Sequence, residues 1–292
     1  MALRAKDPEQ LPKRLKMFLY GEAGVGKTMA AIQFPSSYLI DCEAGMEQRQ
    51  YVEAIKKAGS AVWSAHALDD VVAEVRELRS TKHAFRTVTI DPISTIYADA
   101  VDANQQRLIR ECGDYDKATA YGRHYVLPNQ TMKRLCNLLA QLDMNVIMTA
   151  HQKAEYANEK KVGETFDGYK KLDYVFDLVL QLQRRGAKRV AIVRKTRVEE
   201  FPDGEVFDWS YAEFVKRYGT RIEQAAATVT VATPQQVSEI KRLVELLKVG
   251  EEEVGKWFTK AQVDSFEDMT EEQVGKCIDA LNKRIKPKEN GT

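Results

Sequence analysis

Two glycines, a lysine and a threonine stand at a chemically meaningful spacing near the start of the chain. The segment FLYGEAGVGKTMAA, residues 18–31, contains the pattern GxxxxGK[ST]. Glycines let the backbone curl so that successive N–H groups face phosphate oxygens, and a following helix adds its positive end. The lysine of this pattern reaches the β- and γ-phosphates, and the hydroxyl ligates Mg²⁺. The sequence therefore predicts a site for ATP or GTP with Mg²⁺. The predicted nucleotide-binding residues are Gly21, Glu22, Ala23, Gly24, Val25, Gly26, Lys27, Thr28 and Met29.

An aspartate at the end of a second apolar segment offers a metal ligand. RTVTIDP, residues 86–92, reads as a strand that ends on Asp91. A carboxylate in this position holds the Mg²⁺ of many nucleotide-hydrolysing proteins. A strand-end aspartate can also be a simple helix cap. Beside the phosphate loop the metal role is favoured, so Thr28 and Asp91 are the predicted metal ligands.

Hydrolysis also needs a carboxylate that orients or deprotonates the attacking water. In AAA+ type machines a glutamate directly follows the metal-binding aspartate, but here the next residue is Pro92. A different strand end, YLIDCEAGM at residues 38–46, supplies Asp41 and Glu43. Glu43 is therefore the predicted catalytic carboxylate, and the alternative is a surface glutamate in a loop.

This second strand end carries a family resemblance. LIDCEAGM resembles the second-strand motif of RecA-type recombinases, and Glu43 falls on their catalytic glutamate. The resemblance implies that a polar residue ending the strand NVIMTAHQK, residues 145–153, senses the γ-phosphate. That residue is usually glutamine, whereas His151 stands here with Gln152 next, so both are candidates. A buried structural histidine is the alternative for His151.

The same resemblance gives a role to two cations in VAIVRKTR, residues 190–197. Filament- or ring-forming RecA-like ATPases carry Lys-x-Arg at this point, directed toward the nucleotide of a neighbouring subunit. Lys195 and Arg197 match that spacing, and both side chains of a strand at i and i+2 share one face. The alternative is a basic sheet edge that prevents aggregation. With Glu43, Lys27 and His151, these two residues complete the predicted catalytic set.

The resemblance covers about residues 14–215 and rests on short motifs in the correct order. Among RecA-like proteins the chain is most similar to small phage-encoded ATPases of the recombinase and single-strand annealing type. This likeness implies an ATPase that binds single-stranded DNA and assembles as a filament or ring of identical subunits.

Two segments are candidates for a DNA surface, residues 110–125 and 152–171. Both mix basic and aromatic residues, which suits phosphate contacts beside stacked bases. The second segment also carries acidic residues, so a solvated loop is its alternative. The run RRGAKRVAIVRKTR, residues 184–197, is the strongest basic cluster, with seven basic residues and no acid. The predicted DNA-binding residues are Arg123, Lys153, Lys160, Lys161, Phe166, Tyr169, Lys170 and Lys171.

The elements that must position these residues alternate between strands and helices. KMFLYG, SYLIDCE, RTVTID and NVIMTAHQ read as strands, and helical segments lie between them. Such alternation predicts an α/β fold with a mainly parallel sheet covered on both faces. The resemblance implies that this fold has a RecA-like arrangement. Residues 178–197 predict an antiparallel hairpin. The expected organisation is an ATPase core at 1–225, a linker at 226–233 and a small three-helix domain at 234–287.

The composition indicates which cellular compartment and which kinds of binding partner to expect. The net charge of +1 gives the whole molecule no field that selects a nucleic acid or a membrane. Four scattered cysteines without a CxxC pair indicate reduced thiols, and no apolar run reaches the length of a membrane helix. We expect a cytoplasmic protein without membrane contacts, located in the bacterial host if it is phage-encoded.

Together these features predict an ATP-dependent, single-stranded-DNA-binding protein of recombination or strand annealing. A RecA-class helicase or motor is one alternative. A regulatory ATPase without DNA affinity is another, and a small-molecule kinase is less favoured because no separate lid follows the phosphate loop. The C-terminal helices are a candidate contact for a single-strand-binding protein or another recombination partner.

Overall fold

The computed structural model describes residues 14–157, 159–224 and 230–285. The residues before 14, half of the predicted linker at 226–233, and the end of the predicted C-terminal domain at 286–287 lie outside these ranges. The strands of the described residues are β1 (Lys16–Gly21), β2 (Ser37–Asp41), β3 (Ala61–Ser64), β4 (Thr87–Asp91), β5 (Asn145–Ala157), β6 (Lys160–Phe166), β7 (Leu178–Arg185), β8 (Lys188–Thr196) and β9 (Val206–Asp208).

Helices connect and cover these strands. They are α1 (Lys27–Ile32), α2 (Arg49–Lys57), α3 (Leu68–Ser80), α4 (Ile93–Cys112), α5 (Tyr115–Thr119), α6 (Val126–Gln141), α7 (Leu172–Val175), α8 (Tyr211–Tyr218), α9 (Pro234–Leu246), α10 (Glu251–Ala261) and α11 (Glu271–Ile285). Short 3₁₀ turns occupy Ala120–Tyr125, Thr220–Glu223 and Phe266–Asp268. Within the described ranges, no helix combines the length and the apolar character needed to cross a membrane.

The strands form one sheet in the order β3-β2-β4-β5-β1-β7-β8-β9, and β6 pairs with the end of β5. The six strands from β3 to β7 in this order are parallel, whereas β8 and β9 are antiparallel. The predicted α/β fold with a mainly parallel sheet flanked by helices is confirmed, as is the hairpin of β7 and β8. Strand β5 lies between β1 and β4, so the phosphate-loop strand and the Asp91 strand are not neighbours.

Both faces of the sheet are buried, which explains the continuous apolar strands. Along β1, Phe18 and Tyr20 face one core with α3, α4 and α6, while Met17 and Leu19 face a second core with α1 and α8. This alternation follows from the two-residue period of a strand. The carboxyl ends of the parallel strands consequently meet at one edge of the sheet.

Both candidate DNA segments contain regular secondary structure. Residues 152–157 and 160–166 form the antiparallel ladder of β5 and β6, so the interpretation of this part of the second segment as a solvated loop is wrong. The ring of Phe166 packs against Phe18 at 5.0 Å and Tyr20 at 6.0 Å between centroids, which anchors β6 on the core. The segment 110–125 continues α4 to Cys112, and α5 and a 3₁₀ turn follow.

The three predicted C-terminal helices correspond to α9, α10 and α11. Thr233 and Gln236 form a capping box at the start of α9. The Thr-Glu-Glu signal at the start of α11 works in the same way, because Thr270 Oγ1 accepts from the N–H of Gln273 at 3.1 Å.

A buried carboxylate joins these helices to the core. Asp268 is 1% exposed and accepts hydrogen bonds from Arg76 of α3 and from Arg134 Nη2 of α6 at 3.0 Å. Arg79 Nη1 donates to the Asp268 carbonyl oxygen at 2.6 Å. Burial raises the pKa of Asp268, but hydrogen bonds from Arg76 and Ser265 and the neighbouring arginine charges outweigh it, so the pKa lies below its ordinary value. These contacts connect the predicted ATPase core with the predicted C-terminal domain. The boundary between the two stays a prediction.

Candidate nucleotide-phosphate site

The phosphate loop follows β1 and leads into α1, as the sequence predicts. Gly21 lies against β7, where a Cβ atom would stand 2.5 Å from the Leu182 carbonyl oxygen. Gly26 has a φ of 98°, a left-handed conformation that favours glycine, immediately before α1. Glycine is therefore needed at the two positions for different reasons. At Gly21 a neighbouring strand comes too close for a side chain, and at Gly26 the backbone conformation favours glycine.

Lys27 is folded into the loop. Its Nζ donates to the carbonyl oxygens of Gly21 and Glu22, both at 2.9 Å, and the residue is buried. Burial lowers the pKa of Lys27, while the charges of Asp91 and Glu43 oppose that shift. The ammonium group therefore lies within electrostatic reach of both predicted carboxylates.

Asp91 is a buried acid of the site. It is 4% exposed and accepts a hydrogen bond from Thr28 Oγ1 at 2.6 Å and another from the Thr149 hydroxyl. Burial raises the pKa of Asp91, and the hydrogen bonds of Thr149 and Thr28 and the charge of Lys27 oppose the shift. The two predicted metal ligands, Thr28 and Asp91, are thus in direct contact.

This pair suits Mg²⁺. The ion prefers oxygen ligands and is commonly held by one or two carboxylates together with substrate phosphates. Within the described residues, no cluster of three or more histidine, cysteine, aspartate or glutamate side chains has metal-binding geometry. The hydroxyl of Thr28 and the carboxylate of Asp91 would hold Mg²⁺ beside the phosphates.

Glu43 stands at the end of β2 with partners from two other elements. The Thr95 hydroxyl of α4 donates to its carboxylate, and His151 Nε2 of β5 lies 3.5 Å from Glu43 Oε1. Both side chains are 41% exposed. Asp41 shapes the turn by accepting from the N–H groups of Glu43 at 3.1 Å and of Met46 at 2.8 Å. Glu43 is consequently a fixed but accessible carboxylate.

The two sensor candidates have different surroundings. The backbone N–H of His151 donates to Ser94 Oγ at 3.1 Å, and its ring is the one beside Glu43. Gln152 is bound elsewhere, to Glu164 at 2.5 Å and to Gln181 at 2.7 Å. Of the two candidates, His151 is therefore the better placed to sense the γ-phosphate, because its ring lies beside Glu43.

A cavity of about 380 Å³ adjoins the phosphate loop. Met29 and Ala30 of α1 and Gln33 at its end form one wall, and Trp209 and Tyr211 form another. Aromatic walls beside polar groups are typical of sites that hold flat organic ligands. Met29 was predicted as a binding residue, but Trp209 and Tyr211 were missed, because they approach α1 only through long-range packing, such as the contact of the Tyr211 ring with Phe34 at 5.2 Å between centroids.

Lys195 and Arg197 lie at the other end of the sheet. Since β8 runs antiparallel to β7, its start is level with the phosphate loop and its end is remote from it. Lys195 Nζ donates to the carbonyl oxygens of Asp173 and Phe176, and Arg197 forms an ion pair with Asp177 at 3.3 Å. Neither cation can act on the nucleotide of its own chain.

Four of the eight predicted DNA-binding residues line one cavity. A cavity of about 540 Å³ is lined by Lys153, Tyr169, Lys170 and Lys171 and shares Ser94 with the Glu43 site. Tyr97 and Tyr125 add two more rings to it.

The other predicted DNA residues lie outside this cavity. Phe166 is packed on the core, so its interpretation as a base-stacking ring is not supported by its position. Arg123 donates to the Lys117 carbonyl oxygen at 3.1 Å, and Lys161 pairs with Glu164 at 3.4 Å. Lys160 is exposed at the start of β6.

The fold and this site define a P-loop ATPase. A protein-family model described as an AAA domain matches residues 13–200, which is more than half of the 292-residue chain. The chain belongs to this family. Pro92, which departs from the pattern of AAA+ type machines, therefore does not exclude membership of a family with the AAA description.

Two further comparisons concern individual proteins. The crystal structure of the RadB recombinase is similar over 66% of this chain and 84% of that chain, with 18% sequence identity and a TM-score of 0.41. No curated protein matches the chain.

The Thr149 hydroxyl is expected to position Asp91, which gives a test. Thr149→Val removes this donor with little change of shape, and we expect ATP turnover to fall by about tenfold, the cost of one hydrogen bond to a charged group. Thr89→Val is the matched control, because Thr89 is buried in β4 and its hydroxyl has no hydrogen-bond partner among the described residues. Equal turnover in the two variants would show that Thr149 does not serve Asp91.

Proposed function

We propose that the chain is an ATP-dependent, RecA-like protein that binds single-stranded DNA in recombination or strand annealing. The observation that best supports this proposal is that Ser94 contributes both to the Glu43 site and to the cavity of lysines and tyrosines. Ser94 accepts from the backbone of His151 and also lines the cavity of lysines and tyrosines. A change at the phosphate sensor therefore has a direct structural route to a surface suited to nucleic acid.

ATP would enter with its phosphates in the loop Gly21–Thr28 and its base in the cavity beside Trp209. Lys27 would leave the loop carbonyls for the phosphate oxygens, and Thr28 and Asp91 would hold Mg²⁺. The ion supplies neutralisation of the charge that develops on the phosphates. Glu43 would orient the attacking water and accept its proton, while Thr95 keeps the carboxylate in place.

Glu43→Gln tests this assignment. The amide keeps the size of the side chain but cannot accept a proton, so we expect normal ATP binding and loss of turnover by about 10²-fold or more. Binding is measured by equilibrium titration and turnover by phosphate release. Glu47→Gln is the matched control, since Glu47 is an exposed glutamate four residues further on, and it should behave like wild type. Normal hydrolysis by Glu43→Gln would exclude Glu43 as the base.

The proposal includes head-to-tail assembly of identical subunits. Such an interface joins two different patches of the same chain. The position of Lys195 and Arg197, at the end of the sheet remote from their own phosphate loop, supports a role at a neighbour's nucleotide. In that role both side chains would exchange their present carbonyl and carboxylate partners for phosphate oxygens.

Mixing two inactive variants tests the shared site. Glu43→Gln contributes an intact Arg197, and Arg197→Ala contributes an intact Glu43, so the mixture should regain part of the wild-type turnover. Glu43→Gln mixed with Lys27→Ala is the control, because both changes damage the same half of the site and no activity should return. Absence of recovery in the first mixture, with both variants folded and assembled, would refute catalysis across the interface.

The cavity of lysines and tyrosines would hold the strand. Lysines at its rim suit phosphates, and the rings of Tyr97, Tyr125 and Tyr169 suit unstacked bases. The C-terminal helices would contact a single-strand-binding protein or another recombination partner. The similarity of motifs supports a phage origin and action in the bacterial cytoplasm.

The DNA proposal predicts a charge-specific defect. Lys170→Ala/Lys171→Ala should weaken binding of single-stranded DNA and reduce the slope of log K against log salt by roughly 1.4, since each phosphate contact contributes about 0.7. The control Lys56→Ala/Lys57→Ala removes two exposed lysines from the end of α2 and should leave binding unchanged.

ATP turnover of the wild type is measured with and without single-stranded DNA. Stimulation by DNA supports the proposal. Turnover indifferent to DNA, with no binding at low salt, would favour a regulatory ATPase, and directional unwinding of duplexes would favour a motor.

A further inference from the structure

The basic run 184–197 is divided between the two ends of the sheet. Lys195 and Arg197 are remote from the phosphate loop, whereas the hairpin turn at Gly186 brings four basic side chains to the loop end. These four residues are Arg184, Arg185, Lys188 and Arg189. Arg184 Nε donates to the Gly186 carbonyl oxygen at 3.2 Å, and Lys188 pairs with Asp208 at 2.5 Å.

Arg189 contacts the phosphate loop itself. Its Nε donates to the carbonyl oxygen of Val25 at 2.8 Å. A Cβ atom on Gly26 would lie 2.7 Å from this nitrogen, so the absence of a side chain at Gly26 is what lets the guanidinium lie against the loop. The backbone of Arg189 is also fixed, because its carbonyl oxygen accepts from the N–H of Trp209 at 2.8 Å.

The carbonyl of Val25 and the N–H of Gly26 are the two ends of one peptide unit. A trans peptide is planar, and its C=O and N–H point in opposite directions. A donor that holds the Val25 carbonyl on the outside of the loop therefore turns the Gly26 N–H toward the inside, where phosphate oxygens are bound by such loops. Rotation of this peptide would replace an inward donor with an inward carbonyl oxygen, which repels phosphate.

We propose that Arg189 is a positioning residue of the phosphate loop, acting through the Nε hydrogen bond to Val25 that orients the Gly26 N–H for a nucleotide phosphate. The inference rests on the nucleotide binding proposed above and adds a residue that lies outside the GxxxxGK[ST] pattern by more than 150 positions. Its effect depends on a donor at one atom, not on the positive charge.

Two substitutions separate the donor from the charge. The amide nitrogen of glutamine is as many bonds from Cα as Arg Nε, so Arg189→Gln keeps an N–H donor at that place and removes the charge. Arg189→Lys keeps the charge but puts a methylene group where Nε stands. Arg189→Ala removes both, and Arg184→Ala is the matched control because it removes one arginine from the same hairpin without touching the loop.

The measurement is the Kd of ATP for each full-length variant, with thermal unfolding as a check of the fold. We expect Arg189→Ala and Arg189→Lys to raise Kd by about tenfold, the value of one well-formed hydrogen bond. Arg189→Gln should restore Kd to within about twofold of wild type, and Arg184→Ala should leave it unchanged.

Failure of the inference and failure of the proposed function give different results. Unchanged binding in Arg189→Ala, or any series in which Arg189→Gln does not restore binding, overturns the positioning role. Rescue by lysine alone would instead assign Arg189 a direct charge contact with the nucleotide. If the wild type does not bind ATP, or Lys27→Ala binds it equally well, the nucleotide site itself is refuted.

Discussion

Burial of the Asp91 carboxylate beside the phosphate loop sets the conditions that the rest of the site must satisfy. A buried charge without partners costs several kcal/mol, so Asp91 needs donors on more than one side. Thr28 supplies one from the first turn of α1, and Thr149 supplies the other from β5. Both donors are available only if β5 lies between β1 and β4, which is the strand order of this sheet.

The same order places the reactive groups at one edge. Strands β1, β2, β4 and β5 are parallel, so their carboxyl ends deliver the phosphate loop, Glu43, Asp91 and His151 to one region. The pairing of Gly21 with His151 sets the phosphate loop level with the predicted sensor position. The site is therefore a consequence of sheet register, and a one-residue slip of β5 would turn Thr149 to the other face.

The sequence made the positions of the phosphate loop, Asp91 and Glu43 predictable, because each stands where an apolar strand ends. Thr149, Ser94 and Thr95 were not predictable, since hydroxyl residues in apolar segments are common and only register gives them a role. The lysine-rich segment 152–171 shows the opposite error, because its charges suggested a solvated loop where the structure has strands. Its charges hide the alternation of β5 and β6, and the anchoring contact of Phe166 is long-range.

Charge density along a sequence also says little about where the charges meet. The basic run 184–197 reads as one cluster, yet β8 is a nine-residue strand and spans about 25 Å. One end meets the phosphate loop of its own chain through Arg189, and the other carries Lys195 and Arg197 to the far side of the molecule. A single strand thus presents cations to two separate surfaces. In the head-to-tail assembly proposed above, Lys195 and Arg197 would face the nucleotide of a neighbouring subunit, so β8 would connect consecutive nucleotide sites.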